Sequence, residues 1–535
     1  MGKLRKGALT VVGFACVVAA DVGFALGPPI TALGASPPTY SVANVGAYGG
    51  EPSIVSDSLG QLYDTTPSGG TVTYTSTNHG ATWSQVATAD PNSGDDCLAT
   101  DQSNAVYLCN LAGSQGVAPL QADVWKSVNH GGTWTHGAGA IPQQCGTSCS
   151  AFGVDRDWVA ASILPPATQT SQAEVVLMYH DFYGPSQIWV NVSHDGGATF
   201  GAPQEVLASP AVTPGAIAGT VVAQGYTLCN TVPAGVAIAP PGTPHAGRIF
   251  VAWIAADLAQ NATGCNASML QSFHTLWISY SDDNGVTWTP QQAFDAGFGH
   301  DSSTPFVSFT LDKQGNPYMG FAINLRSNPA TCSAESAAGT VQSDPTCEYD
   351  MYVVWSSNGG AVWDGGGGVI PGSAATPYRV NPTSEGGTHF FPAIAAANPG
   401  QVDVAYLRTT EIIPTDPFGK ANPGGCAGPG PANGNPTTYP PTCSWNLYAA
   451  QSLNLTSSPA NATWARTQIT TTPMHLGDIC NLGIACLAPS SNRNLLDFIM
   501  EAVDPQGCAH IAYADDNTIN KLRVANQTSA CFKRK

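Results

Sequence analysis

The sequence predicts an all-β protein, and three observations support this fold class. Only 10% of the 535 residues are charged, which is too few for a set of long amphipathic helices. The chain contains 58 glycines and 41 prolines, the residues that most often form turns. Between these turns lie short apolar segments rich in Val, Ile, Thr and aromatic residues, which favour β-strands. The sequence therefore indicates many short strands joined by tight turns.

The N-terminal segment, residues 1–34, has the features of a secretory signal. A short basic region precedes an apolar run at residues 8–20, and an aspartate ends this run before it could span a bilayer. Small residues at the end of the segment provide a cleavage site for signal peptidase. We therefore expect residues 35–535 to form the mature protein, secreted and extracellular, as a single domain.

The net charge of −18 limits the partners that this protein can have. Nucleic acid and anionic membrane surfaces repel a protein this acidic. Apart from the N-terminal segment, no stretch of the sequence is long and apolar enough to cross a bilayer. We therefore predict no nucleic-acid partner, no membrane insertion, and a monomer that needs no cofactor.

The cysteines predict disulfide bonds. Of the 15 cysteines, Cys16 lies in the N-terminal segment, which leaves an even number in an extracellular protein. Sequence neighbours form compact pairs, although the sequence leaves the connectivity open. The pairs are Cys97/Cys109, Cys145/Cys149, Cys229/Cys265, Cys332/Cys347, Cys426/Cys443, Cys480/Cys486 and Cys508/Cys531. The spacing does not match a zinc finger or zinc knuckle, so we expect no metal site.

One eight-residue pattern recurs along the chain. It reads Ser-x-Asp/Asn-x-Gly-x-Thr-aromatic, and its copies begin at Ser76, Ser127, Ser193, Ser281 and Ser356, the last of which has Val362 in place of Thr. The Asp or Asn side chain can accept hydrogen bonds from turn amides, and the glycine can adopt a backbone conformation that other residues resist. Each copy follows an apolar segment, so the pattern predicts a repeated hairpin turn.

This pattern resembles the Asp box of the BNR-repeat family, which includes the sialidases. The resemblance implies a β-propeller, a ring of four-stranded antiparallel blades labelled A to D from the centre outward. Each Asp box would then connect strands C and D of its blade, and would serve structure rather than function.

Seven repeating units can be assigned in the sequence, and the last of them ends after strand C. Residues 39–44 form a spare N-terminal strand that could supply the missing strand D and close the ring. We therefore predict seven blades. Six blades, as in the sialidases, is the alternative, with the last unit as an appendage.

The long insertions and most cysteines lie in the B–C and D–A connections, which share one face of a propeller. We therefore expect function on this insertion face. Three strand A entries carry Asp96, Asp157 and Asp497 where three others carry proline, and strand A lines the central channel. Glu385 lies on a D–A loop of the same face. Paired carboxylates can act as general acid and base, so we predict these four residues as catalytic. The alternative is that the aspartates cap strand-entry amides or pair with arginines.

The predicted substrate-binding residues are Arg156, Arg379, Arg493, His300 and His389. Sialidases hold the substrate carboxylate with three arginines, and the resemblance implies that the three arginines named here could form such a clamp. The Arg-Ile-Pro motif that carries the first arginine in sialidases is absent from this chain. The two histidines lie on D–A loops of the insertion face.

Two functions of different classes remain open on the sequence. The first is a secreted, sialidase-like, exo-acting glycoside hydrolase, whose partner is an extracellular glycan or glycoconjugate. The second is a non-catalytic propeller that binds a glycan, a peptide or a protein. Close pairs of acidic residues in a deep central pocket favour the first, and a shallow face covered by loops favours the second.

Overall fold

The computed structural model describes residues 36–68, 70–112, 120–137, 153–181, 188–207, 220–221, 227–258, 273–297, 300, 302–326, 348–363, 377–411, 443–455, 461–477, 479 and 493–532. The helical content of these residues is a single 3-10 turn at Thr170–Gln172. No helix in this part of the chain is long and apolar enough to span a membrane. The predicted signal segment, residues 1–34, lies outside the described residues and stays a prediction.

The described strands, in chain order, are β1 (Tyr40–Asn44), β2 (Ser53–Ser56), β3 (Leu62–Pro67), β4 (Thr71–Ser76), β5 (Ser84–Gln85), β6 (Asp96–Thr100), β7 (Val106–Ala112), β8 (Gln121–Ser127), β9 (Thr135–His136), β10 (Val154–Ser162), β11 (Glu174–Asp181), β12 (Ile188–Ser193), β13 (Gln204–Glu205), β14 (Thr220–Val221), β15 (Thr227–Ile238), β16 (Ile249–Leu258), β17 (Phe273–Ser281), β18 (Thr289–Asp295), β19 (Ser308–Leu311), β20 (Pro317–Ile323), β21 (Asp350–Trp355), β22 (Tyr378–Arg379), β23 (Thr388–Ala396), β24 (Val402–Thr409), β25 (Ser444–Ser452), β26 (Ala465–Gln468), β27 (His475–Leu476), β28 (Met500–Val503), β29 (Ala509–Asp515) and β30 (Lys521–Gln527).

These strands form a seven-bladed β-propeller. Blades 1 to 6 are β2–β5, β6–β9, β10–β13, β14–β18, β19–β22 and β23–β27, and blade 7 is β28–β30 with β1. Each blade is built on four antiparallel strands, and blades 4 and 6 each carry one additional two-residue strand. The strands β2, β6, β10, β15, β19, β23 and β28 contact one another in sequence, and β28 contacts β2. The ring is therefore closed, which confirms seven blades and excludes the six-bladed alternative.

The N-terminal strand β1 is the outermost strand of blade 7. It pairs antiparallel with β30, with Tyr40 opposite Gln527 and Asn44 opposite Arg523. Because β30 lies near the C-terminus, this pairing ties the two ends of the chain together. It also covers the backbone edge that β30 would otherwise expose.

Each copy of the eight-residue pattern forms the turn between the third and fourth strands of its blade. In the first copy, the Gly80 amide donates to Ser76 Oγ and the Thr82 amide donates to Asn78 Oδ1, both at 3.0 Å. The indole nitrogen of Trp83 donates to the Gly80 carbonyl at 3.0 Å. The other four copies repeat the two amide contacts. The pattern thus forms a structural turn, and all five turns lie on the face opposite the insertions.

A second recurring contact escaped the sequence analysis. In three blades, an aspartate in the first turn accepts a hydrogen bond from a tyrosine six residues later. The pairs are Tyr63 with Asp57 (3.2 Å), Tyr107 with Asp101 (3.0 Å) and Tyr318 with Asp312 (3.0 Å). The same carboxylates also accept hydrogen bonds from backbone amides of the turn. Each aspartate therefore ties the first turn of its blade to the second strand, which carries the tyrosine. Blade 7 has His510 at this spacing from Asp504, at 3.3 Å.

Two of the predicted disulfides are confirmed, Cys97–Cys109 across β6 and β7 and Cys508–Cys531 in blade 7. Cys229 and Cys443 are also disulfide-bonded, but their predicted partners Cys265 and Cys426 lie outside the described residues. The pairs Cys145/Cys149, Cys332/Cys347 and Cys480/Cys486 lie wholly outside them and stay predictions.

A buried pair of carboxyl groups lies where blade 6, blade 7 and β1 meet. Asp403 of β24 accepts hydrogen bonds from the Tyr40 hydroxyl at 3.3 Å and from Gln451 Nε2 at 3.4 Å. Glu501 of β28 lies against Asp403, and both of its carboxyl oxygens are buried. Burial raises the pKa of Asp403, and burial together with the neighbouring Asp403 raises the pKa of Glu501. The pair therefore holds a proton at a pH where free carboxyl groups have lost theirs.

This pair predicts a pH-dependent effect of Asp403→Asn. A raised carboxyl pKa stabilises the folded state at low pH, and the contribution is lost as pH rises from the ordinary carboxyl pKa through the raised value. Asparagine cannot ionise, so the free energy of unfolding of the variant should rise relative to wild type between pH 5 and pH 8. The gain should be at most about 1.4 kcal/mol per pH unit.

The measurement is urea unfolding of both proteins at several pH values in this range. Asp282→Asn serves as a control, because the Arg248 guanidinium holds the pKa of Asp282 below its usual value. The control should follow the pH dependence of wild type. Parallel curves for Asp403→Asn and wild type would contradict the protonated pair.

Candidate active site at the mouth of the central channel

Several innermost strands begin with a kinked backbone. Glu51, Arg156, Phe391 and Leu496 have φ angles of 49°, 52°, 50° and 55°, in the left-handed region that non-glycine residues rarely adopt. Each residue stands directly before the strand-entry position that the sequence aligned across the blades. In blades 3 and 6, the strand register shifts at the same point, which marks a β-bulge. Such a bulge re-aims the side chains beside it, and strain of this kind collects at functional sites.

The Arg156 side chain, which belongs to blade 3, joins four blades at the channel mouth. Its Nη2 atom lies 2.9 Å from Glu51 Oε1 and also contacts the Asp497 carboxylate, and its Nη1 atom lies 3.3 Å from Asp95 Oδ2. These three acidic residues lie within three residues before the innermost strands of blades 1, 7 and 2. The Arg156 side chain is only 9% exposed, so its charge is balanced by carboxylates rather than by water.

Aromatic rings surround the same guanidinium group. Its central carbon lies 4.8 Å from the ring centre of Phe306 and 5.6 Å from that of Phe498. The Phe498 ring in turn lies 5.5 Å from the Trp158 ring. A guanidinium beside an aromatic ring is held by the ring's electrostatic field. These residues stand at the strand entries of blades 3, 5 and 7, so the mouth combines charged groups with apolar rings.

Arg493 completes this network around Asp497. Its Nη2 atom lies 2.9 Å from Asp497 Oδ2 and 3.5 Å from Glu51 Oε1. Burial alone would raise the pKa of Asp497, but Arg156 and Arg493 hold it below its usual value. Asp497 is therefore ionised at neutral pH. The structure thus brings together three of the residues predicted from sequence, Arg156, Arg493 and Asp497.

The two other aligned aspartates are in a different state. Asp96 accepts a hydrogen bond from the Thr65 hydroxyl at 2.8 Å, and its Oδ1 atom has no hydrogen-bond partner among the described residues. Both carboxyl oxygens of Asp157 are buried without a partner in the same part of the chain. Burial raises the pKa of both groups well above the usual value, and the nearby charge of Asp95 raises both further. Both carboxyl groups therefore hold their protons more strongly than a free aspartate, which suits a proton donor.

Glu385 and His389 form a second cluster, at the entry of blade 6. His389 Nε2 lies 3.0 Å from Glu385 Oε1, and His389 Nδ1 lies 2.6 Å from the Tyr349 carbonyl oxygen. Glu385 also contacts Arg466, and Arg408 Nε lies 3.6 Å from its carboxylate. Burial would raise the pKa of Glu385, but His389 and Arg466 hold it below its usual value. This cluster is held by ion pairs of its own.

Arg379 and His300 belong to neither group. Arg379 Nη2 lies 2.6 Å from Asp350 Oδ1 and 3.7 Å from Glu348 Oε1. His300 Nδ1 lies 3.0 Å from the Asn324 carbonyl oxygen. Arg379 is therefore held by blade 5 carboxylates, and it does not join Arg156 and Arg493 in one set of ion pairs.

The sequence analysis missed several residues of the channel mouth, namely Glu51, Asp95, Trp158, Phe306 and Phe498. A signal was present, because each of them lies within one residue of the aligned strand-entry position. The prediction considered only the aligned strand-entry position. The left-handed kinks also bring the residues on either side of that position to the channel. Among the described residues, no group of three or more His, Cys, Asp or Glu side chains has a geometry that could hold a metal ion.

The network predicts that Arg156→Gln is strongly destabilising. The substitution removes one of the two cations that Glu51 and Asp497 share, together with the cation that contacts Asp95. Breaking a buried ion pair costs about 3–5 kcal/mol. Arg248→Gln is the matched control. Arg248 also forms a carboxylate pair and packs over a tyrosine ring, but its partner Asp282 is 60% exposed. Exposed pairs contribute about 1 kcal/mol or less.

Chemical denaturation of the two variants and wild type measures this difference in the free energy of unfolding. Equal losses in the two variants would show that the central network does not stabilise the ring.

The sequence matches no family model and no curated protein. Among solved structures, the chain is similar to an ulvan lyase, with 10% identity and a TM-score of 0.44 over 93% of this chain and 97% of that one. A Hadza microbial sialidase aligns with 12% identity and a TM-score of 0.39, over 87% of this chain and 75% of that one. An α-L-arabinanase of Penicillium chrysogenum aligns with 14% identity and a TM-score of 0.34, over 54% and 83%. Similarity at this level carries no argument about activity, so the function must be argued from the site.

Proposed function

We propose that this protein is a secreted glycoside hydrolase that acts on extracellular glycans at the mouth of its central channel. The observation that carries the proposal is the state of Asp157, a buried carboxyl group with a raised pKa and no hydrogen-bond partner among the described residues. In the adjoining network, Asp497 has a lowered pKa. Carboxyl groups whose pKa values are pushed apart in one site are typical of an acid and base pair.

The proposed chemistry uses the raised pKa of Asp157 and the lowered pKa of Asp497. Asp157 would donate its proton to the leaving glycosidic oxygen, and the ionised Asp497 would stabilise the positive charge on the sugar and take a proton from the attacking water. The Arg156 network joins blades 1, 2, 3 and 7 at the centre of the ring, and we propose that a glycan chain reaches the site by its end. This geometry supports an exo-acting enzyme. The proposal includes residues 1–34 as a secretory signal and residues 35–535 as a single propeller domain that acts as a monomer.

The sialidase-like form of this function has partial support. Arg156 and Arg493 lie side by side and could supply two arginines of a carboxylate clamp, but Arg379 pairs with Glu348 and Asp350. We therefore propose the reaction class, glycoside hydrolysis, without the sialidase specificity.

The second candidate function is a non-catalytic propeller that binds a glycan or a protein. The observation that favours it is burial, because Asp96, Asp157 and Asp497 are at most 5% exposed and Glu385 is 7% exposed. In that case the carboxyl groups would organise the strand entries, and ligand would bind above them on the insertion face.

The test is the turnover of Asp157→Asn on a panel of chromogenic glycosides that includes a sialoside. If Asp157 is the general acid, turnover should fall about 100- to 10,000-fold while the fold survives, because asparagine keeps the shape of the side chain. Asp64→Asn is the matched control. Asp64 is also a buried aspartate with a raised pKa and no hydrogen-bond partner among the described residues, but it lies on the second strand of blade 1. The control should keep turnover within about two-fold of wild type.

Three outcomes would count against the hydrolase. Wild-type protein that binds glycans but hydrolyses no member of the panel would favour the binding propeller. Equal turnover in Asp157→Asn and wild type would remove Asp157 from the chemistry. Unfolding of Asp157→Asn would identify the carboxyl group as a structural element of the strand entry.

A further inference from the structure

Every arginine in the described part of the chain forms an ion pair with a carboxylate. The pairs are Arg156 with Glu51, Asp95 and Asp497, Arg248 with Asp282, Arg326 with Glu348 and Asp350, Arg379 with Glu348 and Asp350, Arg408 with Glu385, Arg466 with Glu385, Arg493 with Glu51 and Asp497, and Arg523 with Asp515. Recognition of an acidic sugar by arginine requires a guanidinium edge that can face the ligand. In the described residues, each guanidinium group already faces at least one carboxylate of the protein.

The channel mouth shows the strongest form of this arrangement. Arg156 and Arg493 share Glu51 and Asp497, and Arg156 also contacts Asp95, so two cations face three carboxyl groups. The side chains of Glu51 and Asp497 are 2% and 0% exposed. A ligand carboxylate would have to displace buried partners that are already desolvated, which leaves buried charges uncompensated.

The rest of the insertion face offers no replacement cation among the described residues near this mouth. In blade 5, Arg379 and Arg326 face two carboxylates, and in blade 6, Glu385 lies between Arg408 and Arg466. Lys126 and Lys313 lie at turns of the opposite face, and Lys521 stands across the strand pair from Asp515 in blade 7. The whole chain carries a net charge of −18, which repels anionic ligands further.

What the mouth offers instead suits an uncharged sugar. Buried carboxyl oxygens of Asp157, Asp96 and Glu51 have no hydrogen-bond partner among the described residues, and a sugar hydroxyl that reached them could exchange hydrogen bonds with them. The rings of Trp158 and Phe306 are half-buried, so part of each ring is accessible to the apolar face of a sugar. Ligand sites usually combine apolar rings with a few well-placed polar groups in this way.

From this balance of charge, we propose that the ligand of the channel mouth is a neutral glycan, a chain of uncharged pentose or hexose residues. It is not a sialylated, uronic-acid or sulfated glycan. The inference rests on the proposed function, because it assumes that a glycan binds at this mouth. It departs from the resemblance to sialidases, whose substrates carry a carboxylate.

The experiment measures binding of the full mature chain to matched pairs of oligosaccharides in which one member is uncharged and the other carries carboxylates. The probes are lactose with 3′-sialyllactose, methyl-esterified with free-acid oligogalacturonides, and a panel of uncharged arabino-, xylo- and gluco-oligosaccharides. The uncharged set should contain the ligand, and each uncharged member of a matched pair should bind at least about ten-fold more tightly than its acidic counterpart.

A variant of Glu51 tests whether the ion pairs at the channel mouth cause the preference for uncharged probes. Glu51→Gln keeps a hydrogen-bond acceptor beside Arg156 and Arg493 but removes the carboxyl group that pairs with both arginines, so the preference for uncharged probes should narrow several-fold. Asp282→Asn is the matched control, because it removes the carboxylate partner of Arg248 on the opposite face. The control should leave the preference unchanged.

The outcomes separate this inference from the proposed function. Equal or tighter binding of the acidic members would overturn the neutral-glycan inference and leave a glycan-active propeller standing. Binding to no probe of either kind would overturn both. If Glu51→Gln does not fold, the wild-type comparison of matched pairs still decides the question.

Discussion

The centre of the ring depends on the ion pairs of the Arg156 guanidinium group. It extends from blade 3 to carboxyl groups that stand before blades 1, 2 and 7, and it packs against rings from blades 5 and 7. A buried cation is tolerated only where partners compensate it. The positions of these strand entries are therefore linked, because a shift of one blade would separate a buried charge from its partner.

The periphery and the centre close the ring by different means. At the periphery, β1 pairs with β30, and the hydroxyl of Tyr40 on β1 reaches the carboxyl pair between blades 6 and 7. At the centre, closure depends on the ion pairs of Arg156 and Arg493. The turn of each eight-residue repeat and the aspartate–tyrosine contacts act mainly within single blades. These turns and contacts stabilise each blade by itself. The peripheral and central closures determine how the blades contact one another.

The same centre determines the chemistry available to the candidate site. Two arginines lower the pKa of Asp497, whereas burial raises the pKa of Asp157, which directly follows Arg156 in the sequence. The same network thus contains two carboxyl groups whose pKa values are shifted in opposite directions. It also engages the arginines that a carboxylate clamp would need, so a mouth that is suited to acid and base chemistry is poorly suited to an anionic sugar.

The sequence by itself determined what depends on neighbours along the chain. The hairpin turns, the seven units and the disulfides Cys97–Cys109 and Cys508–Cys531 all involve contacts within about one blade, with separations of 12 and 23 residues for the two disulfides. Which residues come together at the candidate site could be seen only in the tertiary structure. Asp497 could be selected from its aligned position, but its partner Arg156 lies 341 residues away, and Glu51 was marked only by its place beside an aligned position. The physical reason is that left-handed kinks aim these side chains, and ring closure brings them together. Neither effect leaves a local pattern in the sequence.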